Sequence, residues 1–153
     1  MDSFKVRSAT KRDLPAIYAI EDDSFSDPYP HNLLTRLLRE YSTSFLVAEA
    51  DSGIIVGYCV ASRENDSAHL LSVGVLPQYR RQGIGTALIE ALIQCFASLV
   101  RKLMLEVKQG NRGAIRLYED LGFSRVGLVE NYYTDGSSAV KMQLTIHDET
   151  EES

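Results

Sequence analysis

The chain has 153 residues, of which 44% are hydrophobic and 24% charged, and its formal net charge is −5. This length fits one compact domain that buries roughly two-thirds of its unfolded surface. The negative charge argues against a broad nucleic-acid surface, which is normally basic, and suits a cationic substrate such as an amine. No apolar run approaches the roughly 20 residues that a membrane-spanning helix requires.

The first half of the chain predicts a strand, two helices and three further strands. Alternating polarity at residues 4–8 indicates the first strand. Thr10 and Asp13 form a helix-capping pattern, and a break with two prolines at residues 26–30 separates this helix from a shorter one. Three strands joined by tight turns follow at residues 44–50, 54–62 and 68–75.

The second half predicts two more helices and three more strands. A helix begins near Gly83 with a buried face formed by Leu88, Ile89, Leu92, Ile93 and Phe96. A strand at residues 102–108 leads to a helix that Asn111 caps and Gly122 ends. Residues 124–132 and 139–146 bracket a turn as a hairpin, and the acidic tail 147–153 is expected to fray. This order predicts a mixed α/β (α+β) sheet with helices on both faces.

The two cysteines, Cys59 and Cys95, each lie within an apolar pattern and have no metal-ligand spacing around them. We therefore expect two buried thiols in a reducing compartment and no metal site. Residues 1–5 lack the apolar core of a secretory signal peptide. Together these features predict a cytoplasmic protein that does not associate with membranes.

The segment from Arg80 to Thr86 is the most informative, because two arginines and two glycines directly precede an apolar helix. Free backbone N–H groups and the positive end of the helix dipole would face outward there and form an anion site. Gly83 and Gly85 would let a phosphate approach the backbone more closely than a Cβ atom permits. The alternative is a surface turn with a glycine-softened helix start.

Three segments together resemble the GNAT acetyltransferase superfamily over nearly the whole chain. Residues 80–85 look like the loop that binds the pyrophosphate of acetyl-CoA, and residues 111–123 are similar to a later helix-and-turn signature. Residues 131–136 resemble a narrower group, the RimI and Ard-type protein N-terminal acetyltransferases. The resemblance implies a single GNAT domain over residues 1–146, with about seven mostly antiparallel strands, a splayed central pair and four helices.

The resemblance also implies that acetyl-CoA, the acetyl donor, lies in the gap between the splayed strands 68–75 and 102–108. Its expected contacts are Val73, Gly74, Val75, Arg81, Gln82, Gly83, Ile84, Gly85, Thr86, Asn111 and Tyr118. Most of these contacts use backbone atoms, so the valine side chains are still expected in the core. Asn111 is alternatively a helix N-cap alone, and Tyr118 a half-buried aromatic.

Two catalytic roles follow from the resemblance. Tyr118 would protonate the departing thiolate, and Glu106 would be the base. A carboxylate between apolar neighbours on a central strand requires an explanation, because burying an unpaired charge is costly. The alternatives are that alternation turns Glu106 to solvent or into an ion pair, and that His69 is the base instead.

The chemistry favours an α-amine as acceptor. A free α-amino group has a pKa of about 7.7–8.0, so roughly a tenth is neutral at pH 7, against about one lysine side chain in 2,500. One partly desolvated glutamate is therefore an adequate base for an N-terminus. Neither cysteine has a base nearby in sequence, so we expect direct attack within a ternary complex.

The peptide entrance is expected at Tyr29 and at the pair Tyr132 and Tyr133, since tyrosine packs a residue and hydrogen-bonds its backbone. The tyrosine pair alternatively closes a sheet edge. Ser137 and Ser138 stand where RimI and Ard-like chains usually carry an acidic pair, which weakens any inference about residue preference.

The expected partners are protein or peptide N-termini, including those of ribosomal or nascent proteins. Whether a partner subunit or a homodimer is needed stays open. The competing functions are a lysine or small-molecule amine N-acetyltransferase and a non-catalytic acyl-CoA-binding sensor.

Overall fold

The computed structural model describes residues 3–146, and the tail expected to fray lies outside them. In this part of the chain the strands are β1 (Phe4–Ser8), β2 (Phe45–Ala50), β3 (Ile55–Glu64), β4 (Ser67–Val75), β5 (Lys102–Lys108), β6 (Ser124–Val129) and β7 (Ala139–Thr145). The helices are α1 (Leu14–Ser24), α2 (His31–Glu40), α3 (Ile84–Phe96) and α4 (Arg112–Asp120). None of the helices in residues 3–146 combines the length and apolar character needed to cross a bilayer.

The seven strands form one sheet in the order β1-β2-β3-β4-β5-β7-β6. Pairings β1–β2, β2–β3, β5–β7 and β6–β7 are antiparallel, and β4–β5 is parallel. The parallel pairing joins Ser67 to Lys102, Ala68 to Leu103 and His69 to Met104, at the start of both strands. The predicted mixed, mostly antiparallel sheet with four helices is therefore confirmed.

By its contacts the chain divides into two compact units. The first unit comprises Met1–Ser62 and Leu70–Cys95, and the second comprises Arg63–His69 and Phe96–Ser153. The core of the first unit contains the apolar faces of α1 and α2 together with side chains of β2 and β3. Its fully buried side chains include Ile17, Ile20, Leu34, Phe45 and Tyr58. Helix α1 approaches β4 closely at Gly74, because a Cβ there would lie 3.0 Å from Ile20 and 3.1 Å from Ser24.

The capping pattern predicted before α1 is confirmed. The Thr10 backbone N–H donates to Asp13 Oδ2 at 2.8 Å, so the carboxylate reaches back as expected. Arg7 holds the same carboxylate, since its Nη1 and Nη2 donate to Asp13 at 2.8 and 2.9 Å. The start of α1 is thus tied to the first strand.

The second unit follows the predicted alternation of β5. Leu103, Leu105 and Val107 are buried, whereas the residues between them are half-buried. Helix α4 ends as predicted before Gly122, whose φ of 104° lies in the left-handed region that favours glycine. The buried face of α4 carries Ile115 and Tyr118.

Three expectations about individual residues are wrong. Cys95 is exposed rather than buried, because it lies in the last turn of α3 at the edge of the buried stripe. Ile93 is only half-buried. Strand β6 ends at Val129 rather than at residue 132, because Asn131 adopts a φ of 54° and ends the extended backbone. The predicted hairpin of β6 and β7 is present, but its loop, residues 130–138, is longer than expected.

Candidate active site

The predicted anion site lies in the first unit, at the N-terminus of α3. Arg80 Nε donates to the Val75 carbonyl oxygen at 2.9 Å, so this arginine ties the loop to the end of β4. Arg81 and Gly83 then adopt φ values of 63° and 82°, and α3 begins at Ile84. These two left-handed residues turn the chain sharply into the helix.

Open space surrounds both glycines of this loop. A Cβ built on Gly83 or Gly85 would meet no protein atom within 4 Å. Gly83 is explained by its left-handed φ, but Gly85 has no such backbone requirement. An anion seated on the first N–H groups of α3 would account for a glycine at position 85. The geometry suits the expected pyrophosphate, and the contacts of Arg81 through Thr86 stay a prediction.

The end of β4 alternates strictly between its two faces. Ser72 and Gly74 are buried, whereas Val73 and Val75 are half-buried. The expectation that both valine side chains lie in the core is therefore wrong, because α1 packs against the other face, at Gly74. The expected contacts of Val73, Gly74 and Val75 with the cofactor stay a prediction.

The two candidate bases meet in the second unit. His69 Nε2 and Glu106 Oε1 share a hydrogen bond of 2.7 Å. They come together because Met104 is the register partner of His69, and Glu106 lies two residues further along β5 on the same face. The Glu106 side chain is only 12% exposed, so it is not turned freely to solvent and is instead hydrogen-bonded to His69.

The electrostatics of Glu106 favour its ionised form. The hydrogen bond with His69 holds the pKa of Glu106 below its usual value, although burial acts in the opposite direction. The Tyr132 hydroxyl also donates to Glu106 Oε1, at 3.2 Å. The carboxylate is therefore in the form that can accept a proton, although its lowered pKa makes it a weaker base than an unpaired glutamate. Among residues 3–146, no group of three or more His, Cys, Asp and Glu side chains could hold a metal ion.

The loop between β6 and β7 places the tyrosine pair beside Glu106. Tyr132 is 48% exposed, and its ring packs edge-on against that of Tyr133 at 4.9 Å between centroids. Lys108 Nζ lies 5.2 Å above the Tyr133 ring and 3.1 Å from Asp135 Oδ2. The tyrosine pair thus contacts Glu106 and Lys108 of β5, rather than merely closing a sheet edge.

Helix α4 and its N-cap carry two further predicted cofactor-binding residues, Tyr118 and Asn111. Asn111 Oδ1 accepts the Ala114 backbone N–H at 3.1 Å, so its role as N-cap is confirmed. Tyr118 is only 6% exposed, less than the half-buried alternative assumed, and its ring packs edge-on against Phe123 at 5.6 Å. The cofactor contacts of both residues stay predictions.

Tyr29 belongs to the first unit, whereas Tyr132 and Tyr133 belong to the second. Its backbone N–H donates to Glu21 Oε2 at 2.8 Å, and its hydroxyl donates to the Leu71 carbonyl oxygen at 3.2 Å. No functional role was predicted for Glu21 from the sequence, although a carboxylate within the apolar stripe of α1 was a visible signal.

Comparison with known proteins agrees with this geometry. The model of the acetyltransferase (GNAT) family matches residues 14–123. An N-alpha-acetyltransferase of Sulfurisphaera tokodaii is 35% identical in an alignment of 153 positions, gaps included, that covers 91% of each chain. The crystal structure of the ribosomal-protein-S18-alanine N-acetyltransferase from Escherichia coli superimposes with a TM-score of 0.88 at 33% identity over 99% of each chain.

A third similar protein is of the Ard type, the second of the two enzyme types in the predicted resemblance. The crystal structure of Ard1 from Thermoplasma volcanium matches with a TM-score of 0.89 at 31% identity, over 95% of this chain and 99% of that one. The predicted resemblance to RimI and Ard-type enzymes is therefore confirmed. The chain belongs to the acetyltransferase (GNAT) family.

Proposed function

We propose that the protein transfers an acetyl group from acetyl-CoA to the free N-terminal α-amine of proteins or peptides, by direct attack in a ternary complex. The observation that carries this proposal is the cluster in which Glu106 contacts both His69 and Tyr132. It combines a proton acceptor with an exposed aromatic residue that can pack a peptide. The names of the relatives from Sulfurisphaera tokodaii and Escherichia coli support the same acceptor class.

Acetyl-CoA supplies the activated acetyl group as a thioester. We assign its pyrophosphate to the backbone N–H groups of residues 81–86 and its pantetheine amides to the backbone of residues 73–75. The open space at Gly83 and Gly85 and the N-terminus of α3 support the first assignment. Asn111 is assigned to the same cofactor through its side chain.

In the proposed reaction the neutral amine nitrogen attacks the thioester carbonyl carbon. A bond forms between nitrogen and carbon, the bond between carbon and sulfur breaks, and the oxyanion formed on attack accepts a backbone N–H near Val75. Glu106, paired with His69, takes the proton that the amine releases, directly or through water. Tyr118 donates its hydroxyl proton to the departing thiolate and is then reprotonated.

The thiols of the protein support a reaction without an acetyl-enzyme. Burial raises the pKa of the Cys59 thiol, and partial desolvation raises the pKa of the Cys95 thiol even though that residue is exposed. Because the thiolate is the nucleophilic form, both shifts make a cysteine nucleophile less effective. Direct transfer to the amine needs neither residue.

A peptide panel tests the acceptor class. Purified protein is incubated with acetyl-CoA and peptides that vary in their first two residues, and thiol release is followed. Release with free N-termini is the expected result. Transfer only to blocked, lysine-bearing peptides or to polyamines would support the alternative amine acetyltransferase, and binding of acetyl-CoA without turnover would support a sensor.

The remaining assignments belong to the same proposal. The physiological acceptors are N-termini of proteins, with ribosomal proteins as one class because of the activity named for the Escherichia coli relative. Residues 1–146 act as one catalytic domain, and the protein works in the cytoplasm. Tyr29, Tyr132 and Tyr133 contact the acceptor peptide.

A further inference from the structure

The first unit contains a buried carboxylate that the proposed reaction does not use. Glu21 lies on α1 and is 2% exposed. Its Oε1 accepts hydrogen bonds from the Tyr58 hydroxyl and, at 2.8 Å, from the Ser72 hydroxyl. Its Oε2 accepts the Tyr29 backbone N–H at 2.8 Å. These three donors, all neutral, satisfy a group whose burial would otherwise be costly.

The donor from Tyr29 is a backbone N–H, whereas the donors from Tyr58 and Ser72 are side-chain hydroxyls. Tyr58 and Ser72 lie within strands β3 and β4, where the sheet already fixes the backbone. Tyr29 lies in the segment between α1 and α2, which has no regular secondary structure. A buried side chain that binds a backbone N–H of such a segment restricts the conformation of the segment itself.

Tyr29 is held at two points, by Glu21 of α1 and by Leu71 of β4. Glu21 contacts both the Tyr29 N–H and Ser72, and the Tyr29 hydroxyl donates to the carbonyl oxygen of Leu71, the residue beside Ser72. The Tyr29 hydroxyl is therefore bonded directly to β4, and its backbone is linked to the neighbouring residue of β4 through the Glu21 carboxylate. This arrangement fixes where the tyrosine ring lies.

We propose that Glu21 is a positioning residue that fixes Tyr29 for recognition of the acceptor peptide. This inference rests on the proposed function, because it takes Tyr29 as a contact of the peptide. Glu21 acts through the Tyr29 backbone and touches neither the acceptor nor the cofactor. Its loss should weaken use of the peptide and leave use of acetyl-CoA unaltered.

Two substitutions at Glu21 separate hydrogen bonding from simple packing. In Glu21→Gln the amide oxygen can still accept the Tyr29 N–H, and the amide NH₂ can donate to the two hydroxyls, which reorient to accept. In Glu21→Met the side chain keeps a similar length but accepts no such bond. The matched control is Tyr58→Phe, which removes a donor to the same carboxylate and leaves the Tyr29 N–H bonded.

Amide hydrogen exchange measures the hydrogen bond between the Tyr29 N–H and Glu21 independently of enzymatic activity. Pro28 and Pro30 have no amide hydrogen, so Tyr29 is the exchanging amide between them. We expect this amide to be protected in the wild type, in Glu21→Gln and in Tyr58→Phe, and to exchange rapidly in Glu21→Met. An unprotected Tyr29 amide in the wild-type protein would overturn the proposal before any variant is made.

Kinetics then test the consequence. The loss of one hydrogen bond to a carboxylate corresponds to about a tenfold change in an equilibrium constant. KM for the peptide should therefore rise about tenfold in Glu21→Met, and KM for acetyl-CoA should stay unchanged. Glu21→Gln and Tyr58→Phe should stay near the wild-type KM. An equal rise in both KM values, or the same defect in all three variants, would show a general structural role and reject positioning.

The outcomes distinguish this inference from the proposed function. If the wild-type protein does not acetylate any free N-terminus, the proposed function fails and this inference, which rests on it, fails with it. If the wild-type protein acetylates peptides but Glu21→Met leaves peptide KM unchanged, the proposed function stands and the positioning role fails.

Discussion

His69 Nε2 and Glu106 Oε1 lie 2.7 Å apart, so the two residues considered as alternative bases form one hydrogen-bonded pair. This hydrogen bond lowers the pKa of Glu106 and so favours its ionised form. The Tyr132 hydroxyl adds a third member at Glu106, which links the pair to the exposed tyrosine loop.

The pair predicts a specific change in pH dependence. The hydrogen bond from His69 is the largest cause of the lowered pKa of Glu106, and burial opposes it. In His69→Ala that pKa should rise, because the burial effect remains. A base works when deprotonated, so the acidic limb of kcat/KM should move to higher pH. The measurement is a pH–rate profile for both proteins, and an unmoved limb would argue against Glu106 as the base.

Tyr118 should matter for chemistry more than for binding. Tyr118→Phe removes the hydroxyl and keeps the ring that packs against Phe123. We expect kcat to fall by about 10²-fold or more, with affinity for acetyl-CoA little changed. Steady-state kinetics and calorimetric titration check both values. A rate near that of the wild type would remove Tyr118 from the acid role.

Gly85 offers a test in which stability and binding change in opposite directions. It lies at the second position of α3, where alanine is favoured over glycine, and no protein atom obstructs a Cβ. Gly85→Ala should therefore stabilise the fold by about 0.5–1 kcal/mol. If a phosphate approaches this backbone, the same methyl group should weaken binding of acetyl-CoA.

Gly113 is the matched control for Gly85. It lies at the second position of α4 and also has open space around it. Gly113→Ala should raise stability by a similar amount and leave the affinity for acetyl-CoA unaltered. Thermal unfolding and calorimetric titration of both variants give the comparison. Unchanged binding in Gly85→Ala would argue against the anion site.

The ion pair of Lys108 and Asp135 should hold the tyrosine loop near Glu106. Lys108 Nζ lies 3.1 Å from Asp135 Oδ2, and it also lies over the Tyr133 ring. Because solvent reaches both side chains, which are 41% and 57% exposed, we expect Lys108→Met or Asp135→Asn to raise KM for the peptide only about two- to fivefold. Lys5→Met, which removes another exposed ion pair, should leave KM unchanged. Equal effects of the three substitutions would contradict a local role.

The Arg7–Asp13 pair should make the fold sensitive to acid. Hydrogen bonds from Arg7 are the largest cause of the lowered pKa of Asp13 in the folded state. The stabilisation is present above the unfolded pKa of about 3.9 and is lost as pH falls through the lower folded pKa. Arg7→Leu should cost about 2–3 kcal/mol at pH 7, because it leaves the buried Asp13 carboxylate without its cationic partner and with hydrogen bonds from Thr10 only.

Asp13→Asn provides the check on the sign of this effect. Stability of the wild type should decrease between about pH 5 and pH 2, whereas the variant should show a flatter dependence over the same interval. Denaturant unfolding at several pH values measures both. A parallel decrease in the two proteins would assign the acid sensitivity to other carboxylates.

The sequence alone determined the elements and the family of this protein. Helix caps, turns and strand alternation are encoded in short windows, so the Thr10–Asp13 cap, the alternation of β5 and the end of α4 at Gly122 were predicted correctly. The loop before α3 was also predictable, because its glycines and arginines are adjacent in the chain. Strand β6 was predicted too long, since the left-handed Asn131 leaves no periodic signal.

Only the tertiary structure decided which side chains meet. His69 and Glu106 are 37 residues apart, and Glu21 and Ser72 are 51 residues apart. Such contacts depend on strand register and side-chain direction; a shift of one residue between β4 and β5 would turn one partner to the opposite face. The sequence offered His69 and Glu106 as competing bases, whereas the parallel register of two strands makes them one pair.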